Sequence, residues 1–95
     1  MTYQELNEAI KNGRKSFTGE DLRNQSFYGL DLTGAYFDGA DLRGADFDGT
    51  ILHWAHFYGA DIRGARSYLC DFSDSTFDGA DLRGTEIGKK EALGH

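Results

Sequence analysis

The stretch that decides the fold lies in the middle of the chain, 37-FDGADLRGADFDGTILHWAHFYGADIRG-64. Every fifth residue in it is Phe, Leu or Ile, and the series extends from Phe17 to Ile87 with one exception, Ser67. A period of five matches neither an α-helix, at about 3.6 residues per turn, nor a flat strand, at about 2. It predicts a short extended segment followed by a corner, repeated along the chain.

Each five-residue cell has the same internal pattern around its central apolar residue. A small residue usually stands two positions before the centre, Asp often stands one before it, and Gly often stands two after it. The centre and the small residue share one side of an extended segment, so both are predicted to point inward. Gly then lies at the corner, where a type II turn requires a positive φ. Repetition of such a unit predicts a solenoid.

A longer period of twenty residues contains four of these cells. The phrase Phe-x-Gly-Ala-Asp-Leu-Arg-Gly recurs at this spacing, for example at 37–44 and 77–84. Four cells predict a coil with four sides, which we number one to four from Phe17. Ser67 on side three and Phe72 on side four share one coil, where the larger Phe72 is expected to compensate for Ser67. The coils are residues 15–34, 35–54, 55–74 and 75–89, the last one incomplete.

The cell resembles that of the pentapeptide repeat family, and the match covers residues 15–89. The resemblance implies an all-β solenoid, a right-handed quadrilateral β-helix of about four coils. Because bulky residues adopt positive φ less readily than Gly, the corners at Trp54 and Leu69 are expected to use a different turn. The departures from the pattern are Leu30, Ser67, Trp54, Leu69 and Asp74.

The segments that flank the repeat predict a capping helix and a tail. A helix is predicted over residues 2–12, because Thr2 and Glu5 have capping-box spacing and Gly13 suits a C-terminal stop. Its apolar face would cover the first coil. No convincing lid follows the last coil, so an end-to-end homodimer through the C-terminal coil is a hypothesis. The predicted units are a capping helix at 1–13, the β-helix at 14–89 and a tail at 90–95.

Composition limits the classes of partner. A chain of 95 residues with a net charge of −6 is expected to form one domain that does not bind nucleic acid directly. Its single cysteine, Cys70, excludes an internal disulfide and is predicted to be a buried thiol. No apolar run approaches membrane-spanning length and no signal-like leader begins the chain, so we expect a cytoplasmic protein without membrane contact.

Catalysis has little support in the sequence, and no catalytic, cofactor-binding or metal-binding residue is predicted. His53 and His56 flank a corner and would diverge, whereas metal ligands must converge. The filled core of a solenoid is expected to leave no substrate pocket. The predicted function is therefore a non-enzymatic scaffold or protein-interaction module without a cofactor, for a protein partner that the sequence does not identify.

Irregular cells on one flank predict a candidate interaction surface. Exposed apolar residues that gather on one flank suggest a contact with another protein. The alternative is that Trp54 folds back over a neighbouring glycine corner and only covers it, and the two interpretations have equal weight. The residues of this candidate surface are Ile51, His53, Trp54, Tyr68 and Leu69.

Side two predicts a charged ladder, in which each Asp is followed two residues later by an Arg on the same surface. Exposed ion pairs of this kind contribute little net energy each. The alternative is a recognition strip for a charged partner. The ladder consists of Asp21, Asp41, Asp61, Asp81, Arg23, Arg43, Arg63 and Arg83.

Further aspartates give the other sides an acidic character. The resemblance to family members that protect DNA gyrase from quinolones implies an alternative function, an acidic DNA mimic that binds an enzyme such as a type II topoisomerase. Those members are longer dimeric rods, often with loops. This chain is short, has no such loops, and carries an Arg strip on one side, so mimicry is the alternative rather than the main prediction.

Overall fold

One helix and a solenoid make up residues 1–87, the part of the chain that the computed structural model describes. The end of the predicted β-helix at 89 and the tail at 90–95 lie outside these residues. Helix α1 spans Tyr3–Lys11 and begins with a capping box. Thr2 Oγ1 accepts the N–H of Glu5 at 3.1 Å, and the Glu5 carboxylate accepts the N–H of Thr2 at 2.8 Å. Within residues 1–87 no helix has the length and apolar character needed to cross a bilayer.

Helix α1 covers the core of coil one. Its Leu6 is fully buried among the apolar residues of the first coils. The Tyr3 hydroxyl donates a hydrogen bond to the carbonyl of Tyr28 at 2.6 Å. After the helix, the Arg14 guanidinium lies 4.5 Å from the centre of the Phe17 ring. These contacts close the end of the solenoid, which would otherwise expose core and unpaired backbone.

Parallel bridges join residues twenty positions apart, so the coils stack in register. Each bridge within residues 1–87 lies one position before a central residue, from Ser16–Tyr36 to Asp61–Asp81. Four such positions occur in every twenty residues, one on each side of the coil. The strands are thus reduced to isolated bridges, and the twenty-residue period read from the sequence is the stacking period of the structure.

The recurrence of Asp has a cause in backbone hydrogen bonding. In the cell 40–44, the N–H groups of the second, third and fifth residues donate to carbonyls of neighbouring coils, and that of the first residue closes the preceding turn. The remaining N–H, that of Arg43, donates to the Asp41 carboxylate at 3.3 Å. Asp therefore satisfies the backbone donor that coil stacking leaves over in such a cell.

Two cells of coil three lack Asp at this position and take the carboxylate from the coil below. The N–H of Tyr58 donates to Asp38 at 3.1 Å, and the N–H of Tyr68 donates to Asp48 at 2.8 Å. Each acceptor lies twenty residues before its donor, at the equivalent corner of coil two. The N–H of the fourth residue in a cell is therefore satisfied in both arrangements. Its acceptor is an Asp of the same cell in one and an Asp twenty residues earlier in the other.

The corners at Trp54 and Leu69 use the same backbone region as the glycine corners, and the expectation of a different turn there is wrong. Their φ angles are 55° and 56°, while the glycine corners from Gly19 to Gly84 have values from 66° to 75°. The reason is the stacking of coils. The N–H of Trp54 donates to the Ser73 carbonyl of the next coil at 3.1 Å, which holds the corner in the common conformation.

Aromatic rings fill the inside of the coils. Phe37 stacks on Phe57 of the next coil with ring centres 5.1 Å apart. It also meets Phe47, on the opposite side of its own coil, edge to face at 6.2 Å. Each such pair contributes about 0.5–1.5 kcal/mol beyond the burial of its area.

Coil three departs from this arrangement at Ser67. Phe72 on side four meets Phe77 edge to face at 6.0 Å. That Phe72 compensates for Ser67 stays a prediction. Ser67 is 4% exposed, and its hydroxyl is a buried polar atom without a hydrogen-bond partner among the described residues. Within residues 1–87 this cell thus leaves a buried polar atom unsatisfied.

Candidate functional site

Side four of the solenoid carries the candidate interaction residues. Ile51 bridges Asp31 of coil one and Asp71 of coil three, so these three residues form one column. The corner that ends side four in coil two contains His53 and Trp54, and the corner that begins it in coil three contains Tyr68 and Leu69. We call this surface the side-four face, defined by Asp31, Ile51, His53, Trp54, Tyr68, Leu69 and Asp71.

The apolar side chains of the side-four face are exposed. The exposed fraction is 41% for Ile51, 62% for Trp54, 73% for Tyr68 and 74% for Leu69. Trp54 and Leu69 lie on opposite edges of the face and one coil apart. The five predicted residues thus lie on one side of the solenoid, as two edges and a centre rather than as one continuous cluster.

Two carboxylates of the face are held in place by hydrogen bonds. Asp71 Oδ1 accepts the N–H and the hydroxyl of Ser73 at 3.1 and 2.6 Å, and Asp71 Oδ2 lies 2.9 Å from His53 Nε2. The bonds from Ser73, with a smaller effect of His53, lower the pKa of Asp71 below its ordinary value. Asp31 makes the equivalent pair of bonds to Thr33, which lower its pKa in the same way. The column therefore has a fixed negative charge on each side of Ile51.

Tyr28 belongs to the same edge as Tyr68, although the irregular cells do not include it. It lies two coils below Tyr68 and is 61% exposed. Asp48 occupies the position between the two tyrosines and is buried, with Oδ2 at 2.6 Å from the Arg66 guanidinium. The forty-residue spacing of the tyrosines is the sequence signal that could have identified this edge. The small-residue positions of coil one are all replaced, by Lys15, Glu20, Gln25 and Leu30, so Tyr28 does not stand out in this irregular coil.

The charged ladder on side two is a continuous series of ion pairs. Each Arg lies 2.6 or 2.7 Å from the Asp of its own cell, and Arg23, Arg43 and Arg63 approach the Asp of the next coil at 3.7 to 3.9 Å. The guanidinium bond is the main cause that lowers the pKa of Asp21 and Asp81 to about 2. Each of these guanidinium groups is engaged by a carboxylate of its own surface. A recognition role of the ladder stays a prediction.

Aspartates on the other sides also accept hydrogen bonds within the chain. Asp46 accepts the N–H of Asp48 at 2.9 Å, and Asp38 accepts that of Tyr58. These positions are explained by the backbone donors that they satisfy, without reference to a partner. DNA mimicry therefore stays a prediction.

The histidines of coils two and three face different sides. His53 contacts Asp71 on side four, whereas His56 stacks on Tyr36 of side one with ring centres 4.4 Å apart. This matches the expectation that the two side chains diverge. Among residues 1–87, no group of three or more His, Cys, Asp or Glu side chains is placed to hold a metal ion.

An open groove of about 620 Å³ lies on side three, and the buried Ser67 forms part of its lining. Its walls include Asp48, Arg66 and Tyr68, together with Leu69 and Glu86. The expectation that the chain has no pocket is wrong in this respect. The exposed Tyr68 and Leu69 wall the groove on the outside, and the small residues Ala65 and Ser67 leave space on its inner side.

Comparisons with known proteins agree with this geometry. The solved structure of HetL, a pentapeptide repeat protein involved in heterocyst differentiation regulation from the cyanobacterium Nostoc sp. strain PCC 7120, has a TM-score of 0.83 and 25% identity. The match covers 90% of this chain and 36% of HetL. A pentapeptide repeat protein from the Arabidopsis thaliana thylakoid lumen has a TM-score of 0.55 and 34% identity, over 76% of this chain and 48% of that protein. This chain thus spans less than half the length of either protein.

The family model of the pentapeptide repeats matches residues 16–53 and 50–86, with eight copies. A search of the curated proteins finds no match. The family match covers more than half of the chain and coincides with the part that stacks at a twenty-residue period. The chain therefore belongs to the pentapeptide repeat family.

Proposed function

We propose that this protein is a non-enzymatic interaction module, in which a rigid solenoid presents the side-four face to a protein partner. The observation that carries the proposal is the backbone at Trp54 and Leu69. Both residues have φ in the left-handed region, at 55° and 56°, where a side chain costs on the order of 1–3 kcal/mol. Both are more than half exposed, at 62% and 74%, so burial offsets little of this cost. Strain retained for exposed apolar side chains supports a role in binding.

The contact interpretation of Trp54 is better supported than the covering interpretation. The corner directly below Trp54, twenty residues earlier, is Gly34. A Cβ atom placed on Gly34 would meet no other atom within 4 Å. Trp54 therefore leaves the space next to this corner open, and its exposed indole is available to a partner.

The proposal is tested by capture of partners from the native lysate with the wild-type chain and with Trp54→Gly and Leu69→Gly variants. We expect both variants to fold and to lose the captured protein. The matched control is Tyr58→Ser, because Tyr58 is 64% exposed but lies at the corner that ends side one. Capture of the same protein by the Trp54→Gly, Leu69→Gly double variant would disprove a role of the side-four face.

We also propose that two copies associate end to end through the C-terminal coil. Phe72, Phe77 and Leu82 are only partly buried, whereas Phe37 and Leu42 of coil two are 0% exposed. Apolar ends of solenoids require a cap for solubility, and a second copy is one such cap. Sedimentation velocity at micromolar concentration should give a dimer, and a monomeric mass would contradict this part of the proposal.

The handedness, the four-sided cross-section and the number of coils of the solenoid are part of the same proposal. We infer a right-handed quadrilateral β-helix of about four coils, because connections between parallel strands are right-handed in nearly all proteins. The family membership and the role of HetL in regulation support a binding function rather than catalysis. A cytoplasmic location is retained from the sequence as part of the proposal.

A further inference from the structure

We propose that the side-four face binds a basic amphipathic α-helix of the partner, laid along the solenoid axis. This inference rests on the proposed function and adds the chemistry and the shape of the bound segment. Its starting point is the column in which Ile51 stands between Asp31 and Asp71.

The spacing of the column matches a helix. Neighbouring coils lie about 4.8 Å apart, so Asp31 and Asp71 are separated by about 9.6 Å along the axis. In an α-helix, residues i and i+7 share a face and are about 10.5 Å apart, with i+3 and i+4 between them. Lys or Arg at i and i+7 would meet the two carboxylates, while an apolar residue at i+3 or i+4 would meet Ile51. An extended strand does not match, because its same-face residues recur at about 6.6 Å.

The width of the face also matches a helix. Side four is about three extended residues wide, or about 10 Å, which is close to the diameter of a helix with its side chains. Tyr28 and Tyr68 stand on one edge with Leu69, and Trp54 stands on the other. Their exposed side chains would flank a helix in the centre and cover its apolar sides.

The charge of the face selects a basic helix. Besides Asp31 and Asp71, the face is bordered by Asp74, which lies one coil above Trp54. The nearby cationic side chain of Lys15 donates its hydrogen bond to the Thr33 carbonyl at 2.7 Å, at the N-terminal end of the face. His53 is hydrogen-bonded to Asp71 at the opposite end. Lys15 is close enough to act on Asp31 electrostatically, but the column still carries two carboxylates against this one ammonium group. An acidic helix would therefore be repelled there.

The experiment uses a synthetic alanine-based helical peptide with Lys at i and i+7 and Leu at i+3 and i+4. Trp54 is the single tryptophan of the chain, so its emission reports binding at the face without a label. We expect a saturable change in Trp54 emission. The Asp31→Asn, Asp71→Asn double variant should weaken the affinity about tenfold, since it removes two exposed ion pairs. Asn retains an oxygen that can accept the Thr33 and Ser73 bonds, so the fold should be preserved.

Two controls separate the helix geometry from charge alone. A peptide of the same composition with the second Lys moved to the opposite face should bind more weakly. The Asp78→Asn variant removes one negative charge at the corner that ends side one and should bind like the wild type. Equal binding of both peptides, equal weakening by Asp78→Asn, or absence of a saturable Trp54 signal would each overturn the inference. If the lysate partner still depends on Trp54 and Leu69 in that case, the proposed function stands and only the helix inference falls.

Discussion

The carboxylate of Asp48 accepts a hydrogen bond at 2.8 Å from the backbone N–H of Tyr68, twenty residues later in the chain. The same carboxylate lies 2.6 Å from the Arg66 guanidinium, and Asp48 is only 7% exposed. One buried side chain of coil two thus fixes the corner of coil three that carries the Tyr68 edge of the side-four face. The position of this edge therefore depends on a residue that is itself buried.

Replacement of Asp48 tests this link. Asp48→Ala leaves the Tyr68 N–H without its acceptor, so we expect a loss of about 1–3 kcal/mol in the free energy of unfolding. Asp48→Asn retains an acceptor for the N–H and should lose less. Chemical denaturation of the three proteins provides the measurement, and equal stability of Asp48→Ala and the wild type would contradict the assigned role.

The left-handed corners predict stabilisation by glycine. In Trp54→Gly the strain of the corner, on the order of 1–3 kcal/mol, is removed, while glycine adds about 0.5–1 kcal/mol of chain entropy to the unfolded state. We therefore expect a net gain of about 1 kcal/mol, and the same for Leu69→Gly. Tyr68→Gly is the control, because Tyr68 has no positive φ to relieve and should not gain stability. Destabilisation by both corner variants would show that the side chains serve the fold.

The buried hydroxyl of Ser67 predicts stabilisation by alanine. Ser67→Ala removes a polar atom that has no partner among residues 1–87, so the free energy of unfolding should rise by about 1 kcal/mol. Thr50→Val is the contrasting variant, since the Thr50 hydroxyl donates to the Phe27 carbonyl at 2.8 Å and its loss should destabilise. Thermal denaturation of the two variants should shift in opposite directions, and a shift in the same direction would refute the assignment.

The ladder predicts a loss of stability in acid. The pKa of Asp21 and Asp81 is about 2 in the folded chain, below the ordinary value of 3.8. A carboxylate whose pKa is lowered in the folded chain stabilises the fold at pH values above its ordinary pKa of 3.8. This contribution is lost as the pH falls from 3.8 towards 2. Melting temperatures across this range should fall less steeply in the Asp21→Asn, Asp81→Asn double variant. An identical pH dependence in both proteins would contradict the contribution of the ladder.

Much of the architecture followed from local pattern. The five-residue spacing of Phe and Leu and its twenty-residue multiple predicted the stacking register, because identical cells can bury their centres only by stacking. The capping box at Thr2 and Glu5 predicted the start of α1, since both of its bonds are made within one turn. The column of Asp and Arg on side two followed from the same period.

Less of the candidate site than of the fold could be predicted from the sequence. The exposed residues of coils two and three could be named, because they break a regular pattern. Tyr28 could not, because it lies in a coil with many departures from that pattern. The turn at Trp54 was mispredicted, because a local rule on φ was applied where a bond to Ser73 of the next coil decides the conformation.

The sequence by itself determined which residues are inside and how many separate one coil from the next, because both depend on a short repeated pattern. Only the tertiary structure decided that Trp54 and Leu69 occupy strained corners on opposite edges of one face. It also decided that Asp38 and Asp48 serve donors of another coil. The physical reason is that these features depend on contacts between residues about twenty positions apart, where stacked coils outweigh the preferences of a single residue.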